Sequence, residues 1–188
     1  GLGDVYKRQD DGSVLKGVVH DPTAGAMAGE AGHAGLFTSA HDLARFARMI
    51  LQGGQLEGAR ILRPETVKLM SSVQTPEAVS VRRGLGFDID SPYAGPRGKN
   101  FPLGSFGHSG WTGTSLWIDP FSRTTVIFLS NRNHPSGGDV RKLRYQLGTL
   151  AAEATGFDFT AVSGALPEVT DRKTTDTPEK VQYPVGNV

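Results

Sequence analysis

The stretch that most limits how this chain can fold lies after residue 104, where three short strand-like runs follow one another. They cover residues 105–108, 114–118 and 124–129, and each has the length of a β-strand. Residues 119–123 form a short polar link of the hairpin type, so the second and third runs should be antiparallel neighbours. Apolar residues occupy both alternating sides of the third run, which predicts a central strand covered on both faces.

Helical patterns flank these runs. A helix is predicted after Ser39, which can cap the first free amides, and it should end at Gly53-Gly54. Pro64 suits the first turn of a second, short helix. A final helix is expected within residues 138–156, where apolar residues recur at helical spacing. The expected fold class is therefore α/β of the α+β kind, an antiparallel sheet flanked by helices.

The residues before the first of these helices are expected to be mostly extended. Residues 13–19 predict a short strand, residues 21–23 a turn, and residues 24–35 a loop rich in glycine and alanine. A further strand is predicted at residues 85–89.

Three segments can be distinguished along the chain. Residues 1–9 share no periodicity with the residues after them and resemble a translated library adaptor, so they are interpreted as a non-native leader. Residues 10–158 form the domain. Residues 159–188 are rich in charged residues, threonine and proline and lack a sustained period, which predicts a linker or a disordered tail.

Composition argues against several classes of function. Lysine and arginine number 20 against 19 acidic residues and form no basic block, so nucleic acid is not an expected partner. The absence of cysteine excludes disulfides, thiolate zinc sites and a cysteine nucleophile. No apolar run approaches the roughly 20 residues of a membrane span. Metal-ligand atoms occur at His20, Asp21, His33, His41 and Asp42, but their spacing fits no tight ligand motif, so neither a metal nor another cofactor is predicted.

The most specific motif is residues 106–120, which read Phe-Gly-His-Ser-Gly-Trp-Thr-Gly-Thr-Ser-Leu-Trp-Ile-Asp-Pro. This run resembles the third active-site motif of the serine β-lactamase and penicillin-binding-protein family, of the class C type. That motif is Lys-Thr-Gly or a variant that begins with His. The resemblance implies that His108 aids charge and proton placement and that the backbone amide of Trp111 is an oxyanion-hole donor. Ser109 and Gly110 would then bind substrate at close range.

A second block consists of residues 19–24, residues 29–39 and then residues 42–46 in the predicted helix. It resembles the loop and helix of the same family, in which the loop borders the substrate pocket. The resemblance implies that His33 and Ala34 line that pocket. A structural role for His33, bracing a glycine-rich turn, explains the residue equally well. His20 is interpreted as structural.

The family's nucleophile motif, Ser-x-x-Lys, has a match at Ser13-Val14-Leu15-Lys16. We reject this match, because the family's serine opens a long buried helix and these residues precede a short strand-like run. The family's second motif, Tyr-x-Asn or Ser-x-Asn, belongs before residue 19 and is also missing. The resemblance therefore implies an incomplete β-lactamase or transpeptidase-like fold with no nucleophile in this chain.

By the same resemblance the chain is the C-terminal part of a serine hydrolase that acts through an acyl-enzyme. The substrate would be an ester, a D-amino-acid peptide or a β-lactam-like molecule, and His108 in place of Lys favours an esterase or peptidase. The fragment alone is expected to be inactive. The alternative is a non-catalytic module that binds a cell-wall peptide or a partner. The expected partner is thus a small-molecule or peptide substrate. Oligomeric state and compartment stay open, and an exported parent enzyme in the periplasm or cell envelope is compatible with the family.

Overall fold

The structure of the chain, a computed structural model, describes residues 15–162. The leader at residues 1–9, Ser13 of the rejected motif and most of the tail predicted at residues 159–188 lie outside the described residues. No helix within the described range is long and apolar enough to cross a membrane. The same residues contain no group of three or more histidine, cysteine or acidic side chains placed to hold a metal ion.

The described residues form four α-helices and seven short strands. In chain order they are α1 (Pro22–Ala26), α2 (Ala40–Leu51), β1 (Gln55–Leu56), β2 (Ala59–Arg60), α3 (Pro64–Ser71), β3 (Arg82–Arg83), β4 (Asp88–Asp90), β5 (Phe106–Ser109), β6 (Ser115–Asp119), β7 (Thr124–Phe128) and α4 (Arg141–Ala154). Two 3-10 turns lie at Gly95–Arg97 and Phe159–Val162, and the second covers the start of the segment predicted to be a linker.

One five-stranded antiparallel sheet organises the molecule, in the order β3-β4-β5-β6-β7. Strands β6 and β7 pair through the hairpin that the sequence predicts, with Asp119 opposite Thr124. The carboxylate of Asp119 accepts hydrogen bonds from the amide and the hydroxyl of Ser122, at 2.7 and 2.6 Å, which holds the link in a tight turn. The predicted antiparallel sheet flanked by helices is confirmed.

Helices cover both faces of the sheet, because neighbouring residues of a strand point to opposite sides. Ile118 packs in one apolar cluster with residues of α2 and α3. Trp117, its neighbour in β6, packs in a second cluster with Phe101 and with Ala152 of α4. Both Trp117 and Ile118 are fully buried, so the sheet lies between two apolar layers.

The prediction that residues 124–129 form a central strand is wrong for the part of the chain that the structure describes. Strand β7 stands at one end of the sheet. Its apolar pattern still has a physical cause, since both α2 and α4 contact β7. Apolar residues on both alternating sides thus report that two faces are covered, and they carry no information about which strand edges are paired.

The predicted helices are confirmed with small shifts at their ends. The hydroxyl oxygen of Ser39 accepts a hydrogen bond from the amide of Asp42 at 3.1 Å and caps α2. Pro64 is the first residue of α3, and α4 occupies most of the predicted range 138–156. The strand predicted at residues 85–89 is shifted toward β4, whereas β1, β2 and β3 were not predicted.

The beginning of the described chain corrects the sequence-based expectation. Residues 15–19 form no strand, and the predicted turn and the first part of the predicted loop form helix α1. Asp21 accepts a hydrogen bond from the amide of Ala24 at 2.8 Å, and Pro22 occupies the first helical position. An Asp-Pro pair suits both a turn and the start of a helix, which is why the pattern alone gave the wrong element.

Candidate active site

The end of strand β5 is the centre of the candidate site. Residues 110–114, called here the 110–114 turn, reverse the chain between β5 and β6. The amide of Gly110 donates to the carbonyl of Thr114 at 2.8 Å, and the amide of Gly113 donates to the carbonyl of Gly110 at 3.2 Å. Gly113 has φ +122°, a conformation that favours glycine. The backbone beyond Ser109 is therefore fixed by its own hydrogen bonds.

Close packing beneath the end of β5 explains why residue 107 is a glycine. Gly107 pairs with Trp117 across β5 and β6, and a side chain there would overlap the Leu116 carbonyl and the Trp117 ring. The indole N–H of Trp117 donates to the hydroxyl of Ser105 at 2.9 Å. A fully buried tryptophan thus supports the strand from below, and its position depends on the missing side chain at Gly107.

The predicted catalytic groups are accessible at this strand end. His108 is exposed, and the Trp111 side chain is 72% exposed. Among residues 15–162, no acceptor takes a hydrogen bond from the Trp111 amide, and no described group hydrogen-bonds to the His108 imidazole. Both groups can therefore reach a bound molecule without first breaking an internal contact.

A cavity of about 440 Å³ opens beside the strand end. One of its walls is β5 with the 110–114 turn, and another is the segment at residues 33–38, called here the histidine loop. The six residues predicted for the site all line this one cavity: His33, Ala34, His108, Ser109, Gly110 and Trp111. Its lining also includes residues that were not predicted, among them Asp21, Leu36 and Phe37. The available sequence signal was the adjacent apolar pair Leu36-Phe37 at the end of a glycine-rich stretch, and the structure leaves both side chains exposed.

Within the described part of the chain, one polar side-chain pair holds the histidine loop. The Nε2 atom of His33 lies 2.9 Å from the Oδ1 atom of Asp21, the same oxygen that caps α1. The backbone amide of Ala24 and then His33 hold the pKa of the Asp21 carboxyl below its ordinary value. His33 is half exposed and lines the cavity while it contacts Asp21. The geometry is compatible with both roles considered for His33. His20 lines the same cavity.

Two arginines that sequence reasoning missed hold the 110–114 turn from its other side. Arg144 of α4 is only 8% exposed and donates to the carbonyls of Gly110, Gly113 and Thr114 at 2.9, 3.1 and 2.8 Å. Arg132 donates to the carbonyl of Trp111 and lies 4.4 Å from the centre of its ring. Burial, and secondly the nearby charge of Arg132, lower the pKa of Arg144.

A second cavity, of about 450 Å³, lies on the side of these arginines. Ser109, Gly110 and Trp111 border both cavities, whereas His33 and His108 border only the first. Tyr93 and Asp139 also line the second cavity. The end of β5 thus borders two cavities, one lined by histidines and the other lined by arginines.

Comparison with known proteins agrees with this arrangement. The model of the family described as Beta-lactamase matches residues 4–151. An Escherichia coli K12 protein named "Putative D-alanyl-D-alanine carboxypeptidase" is 32% identical over 161 residues, which are 83% of this chain and 36% of that protein. A Salmonella gallinarum protein of the same name is 31% identical over 82% of this chain and 36% of its own length. The chain spans about a third of the length of these curated relatives.

Among solved structures, a beta-lactamase from Mycobacterium bovis superimposes with a TM-score of 0.54 at 22% identity. The similarity covers 83% of this chain and 53% of that one, and it supports the fold, an antiparallel sheet with flanking helices. The family model covers most of the chain and includes both resembling blocks. The chain therefore belongs to the Beta-lactamase family of serine β-lactamase and penicillin-binding-protein-like proteins.

Proposed function

We propose that this chain forms one wall of the active site of a serine hydrolase that acts through an acyl-enzyme. The observation that carries the proposal is the end of strand β5, where the exposed His108 borders the same cavity as Trp111, whose amide meets no acceptor among residues 15–162. The histidine loop forms the facing wall. The serine nucleophile would come from the part of the protein that precedes this segment, because we reject Ser13 for that role.

The Trp111 amide would act where negative charge develops. A serine that attacks a carbonyl carbon turns the carbonyl oxygen into an oxyanion, and an amide already held in place stabilises that charge without rearrangement. Two donors are usual for this task, so the second would be the amide of the nucleophilic serine itself. His108 would stand beside the reacting atoms and assist the movement of a proton or the binding of a negative group.

The proposed substrate is a D-amino-acid peptide or an ester. The two relatives described above carry the name "Putative D-alanyl-D-alanine carboxypeptidase". Leu36, Phe37 and Trp111 give the cavity exposed apolar walls that suit a side chain or an acyl group. A histidine at residue 108 lacks the extended ammonium group of a lysine, which favours peptide or ester hydrolysis over strong recognition of a β-lactam.

Covalent labelling tests this proposal directly. The complete open reading frame that encodes these residues would be expressed, treated with a fluorophosphonate probe and mapped by mass spectrometry. The 188-residue chain and its Ser13→Ala variant would be treated in parallel. We expect label on a serine that precedes this segment, and none on the chain alone.

Two outcomes would contradict the proposal. Label on Ser13 within the chain, lost in Ser13→Ala, would overturn our rejection of that serine. A complete protein that stays unlabelled and yet binds a D-alanyl-D-alanine peptide would favour the alternative, a non-catalytic peptide-binding module.

A further inference from the structure

Arg144 is the only described arginine that is buried, and its surroundings do not neutralise it with a carboxylate. No ion pair involving Arg144 lies within 4.0 Å among residues 15–162, and its nearest partners are the carbonyl oxygens of the 110–114 turn. A cation held in this way is costly to bury, so the carbonyls that surround it must keep their orientation. The side chain thus works as a clamp on the backbone of the turn.

The clamp fixes the direction of one particular amide. The carbonyl of Gly110 and the N–H of Trp111 belong to the same peptide unit, which is planar and trans, so the two groups point in opposite directions. Arg144 lies on the side of the second cavity and holds the Gly110 oxygen toward itself at 2.9 Å. The Trp111 N–H must therefore point away from Arg144. Glycine at residue 110 makes this peptide easy to rotate, and Arg144 adds a charged donor to the 3.2 Å hydrogen bond that the Gly113 amide already makes to the Gly110 carbonyl.

Arg132 holds the next peptide in the same manner. Its Nε atom donates to the Trp111 carbonyl, its guanidinium stacks on the Trp111 ring, and its Nη1 atom donates to the carbonyl of Gly138 at 2.9 Å. The peptides on either side of Trp111 are thus both bound through their oxygens to an arginine. Neither arginine lines the cavity that contains His108.

We infer that Arg144 is a positioning residue for the oxyanion hole, with Arg132 as its second support. This inference rests on the proposed function, in which the Trp111 amide stabilises the oxyanion. Arg144 touches neither the substrate nor the nucleophile. It acts by keeping the Gly110 carbonyl on the arginine side of the strand end, so that the attached N–H is presented on the histidine side.

The test compares substitutions at two arginines of helix α4, made in the protein that the complete open reading frame encodes. Arg144→Met removes the clamp, and Arg144→Lys leaves the charge without the fork that reaches three oxygens. Arg141→Met is the matched control, because Arg141 stands three residues earlier, borders the same second cavity and pairs with exposed Asp139. The rate of acylation by a chromogenic ester, the KM and the concentration of titratable active sites would be measured for each variant.

We expect Arg144→Met to lower the acylation rate per titrated site by about 10²-fold, the low end of the effect of losing an oxyanion-hole donor. The KM should change by less than about threefold, because ground-state binding does not use the oxyanion donor. Arg144→Lys should show a smaller loss, and Arg141→Met should match the unaltered protein. A role in folding alone would lower the number of titratable sites and leave the rate per site unchanged.

Each further outcome decides the inference. An Arg144→Met protein that folds and acylates at the rate of Arg141→Met overturns it. If Arg144→Met does not fold, Arg144→Lys and Arg132→Met decide: an unchanged rate per site in both overturns the inference, and a loss of rate in either supports it. If the unaltered protein is not acylated at all, the proposed function fails and the inference falls with it. Failure in the arginine variants alone leaves the proposed function intact.

Discussion

The two walls of the candidate cavity are held by different means. The wall made by β5 and the 110–114 turn rests on the buried Trp117 and is bound from behind by Arg132 and Arg144. In the histidine loop, the one side-chain hydrogen bond formed among residues 15–162 is the partly exposed pair of His33 and Asp21. A wall held by several buried contacts opens rarely, whereas one whose side-chain hydrogen bond is partly exposed adapts more readily. The first suits a group that must not move during a reaction, and the second suits contact with a variable part of a substrate.

The largest effect that would sharpen this comparison is expected from a methyl group added at Gly107 in the first wall and at Gly32 beside the second. Gly107→Ala should lower the free energy of unfolding by about 3 kcal/mol, because the new Cβ overlaps backbone and the Trp117 ring. Gly32→Ala, just before the histidine loop, meets nothing within 4 Å and should change it by less than about 0.5 kcal/mol. Urea unfolding of the complete protein measures both. Equal destabilisation by the two changes would remove the distinction between the walls.

A smaller effect is expected on catalysis when the histidine loop is altered. His33→Ala should raise the KM for a D-amino-acid ester by about three- to tenfold and leave kcat within about twofold, since in the proposed function the loop would contact substrate and not the oxyanion. His41→Ala is the control, because His41 is exposed on α2, pairs weakly with Asp42 at 3.6 Å and does not line the cavity. Steady-state kinetics would separate the two constants. A loss confined to kcat would place His33 among the groups that act on the reacting atoms.

The smallest effect is expected on local stability when the pH is lowered. Because the pKa of Asp21 is lowered from its ordinary 3.8 in the folded protein, its contribution to stability is present above that value and is lost as the pH falls through the folded value. Arginine side chains stay charged over this range. Between about pH 6 and about pH 3, the hydrogen-exchange protection of the Ala24 amide should fall more than that of Gly110. Amide exchange followed by NMR measures both, and a parallel loss at the two sites would contradict the prediction.

Much of the fold followed from local sequence patterns. The cap at Ser39, the proline that opens α3 and the hairpin closed by Asp119 are decided by residues close to one another in the chain, and these predictions held. Where one pattern serves two structures, prediction failed. The Asp21-Pro22 pair opens a helix rather than a turn, and a strand with two apolar faces stands at the end of the described sheet.

The candidate site was also predicted only in part from the sequence. His33 and His108 came from short motifs, and the structure places both in one cavity, while their roles stay predictions. Arg144 could not be found in this way, because it meets Gly110 from 34 residues along the chain. The sequence offered only a weak indication of Arg144. It is a charged residue among the apolar positions of a helix, and charged side chains usually face solvent. Only the packing of α4 against the turn reveals what it binds.

Strand β7 carries a practical consequence for work with this segment. Within the described residues no strand pairs with its outer edge, although helices cover both of its faces. Such an edge presents a row of unused amides and carbonyls to any extended segment that arrives. If the segment is produced separately, we expect a strand from another polypeptide to pair with the outer edge of β7, as in a split protein. Its solubility would then report whether the complementary half has docked.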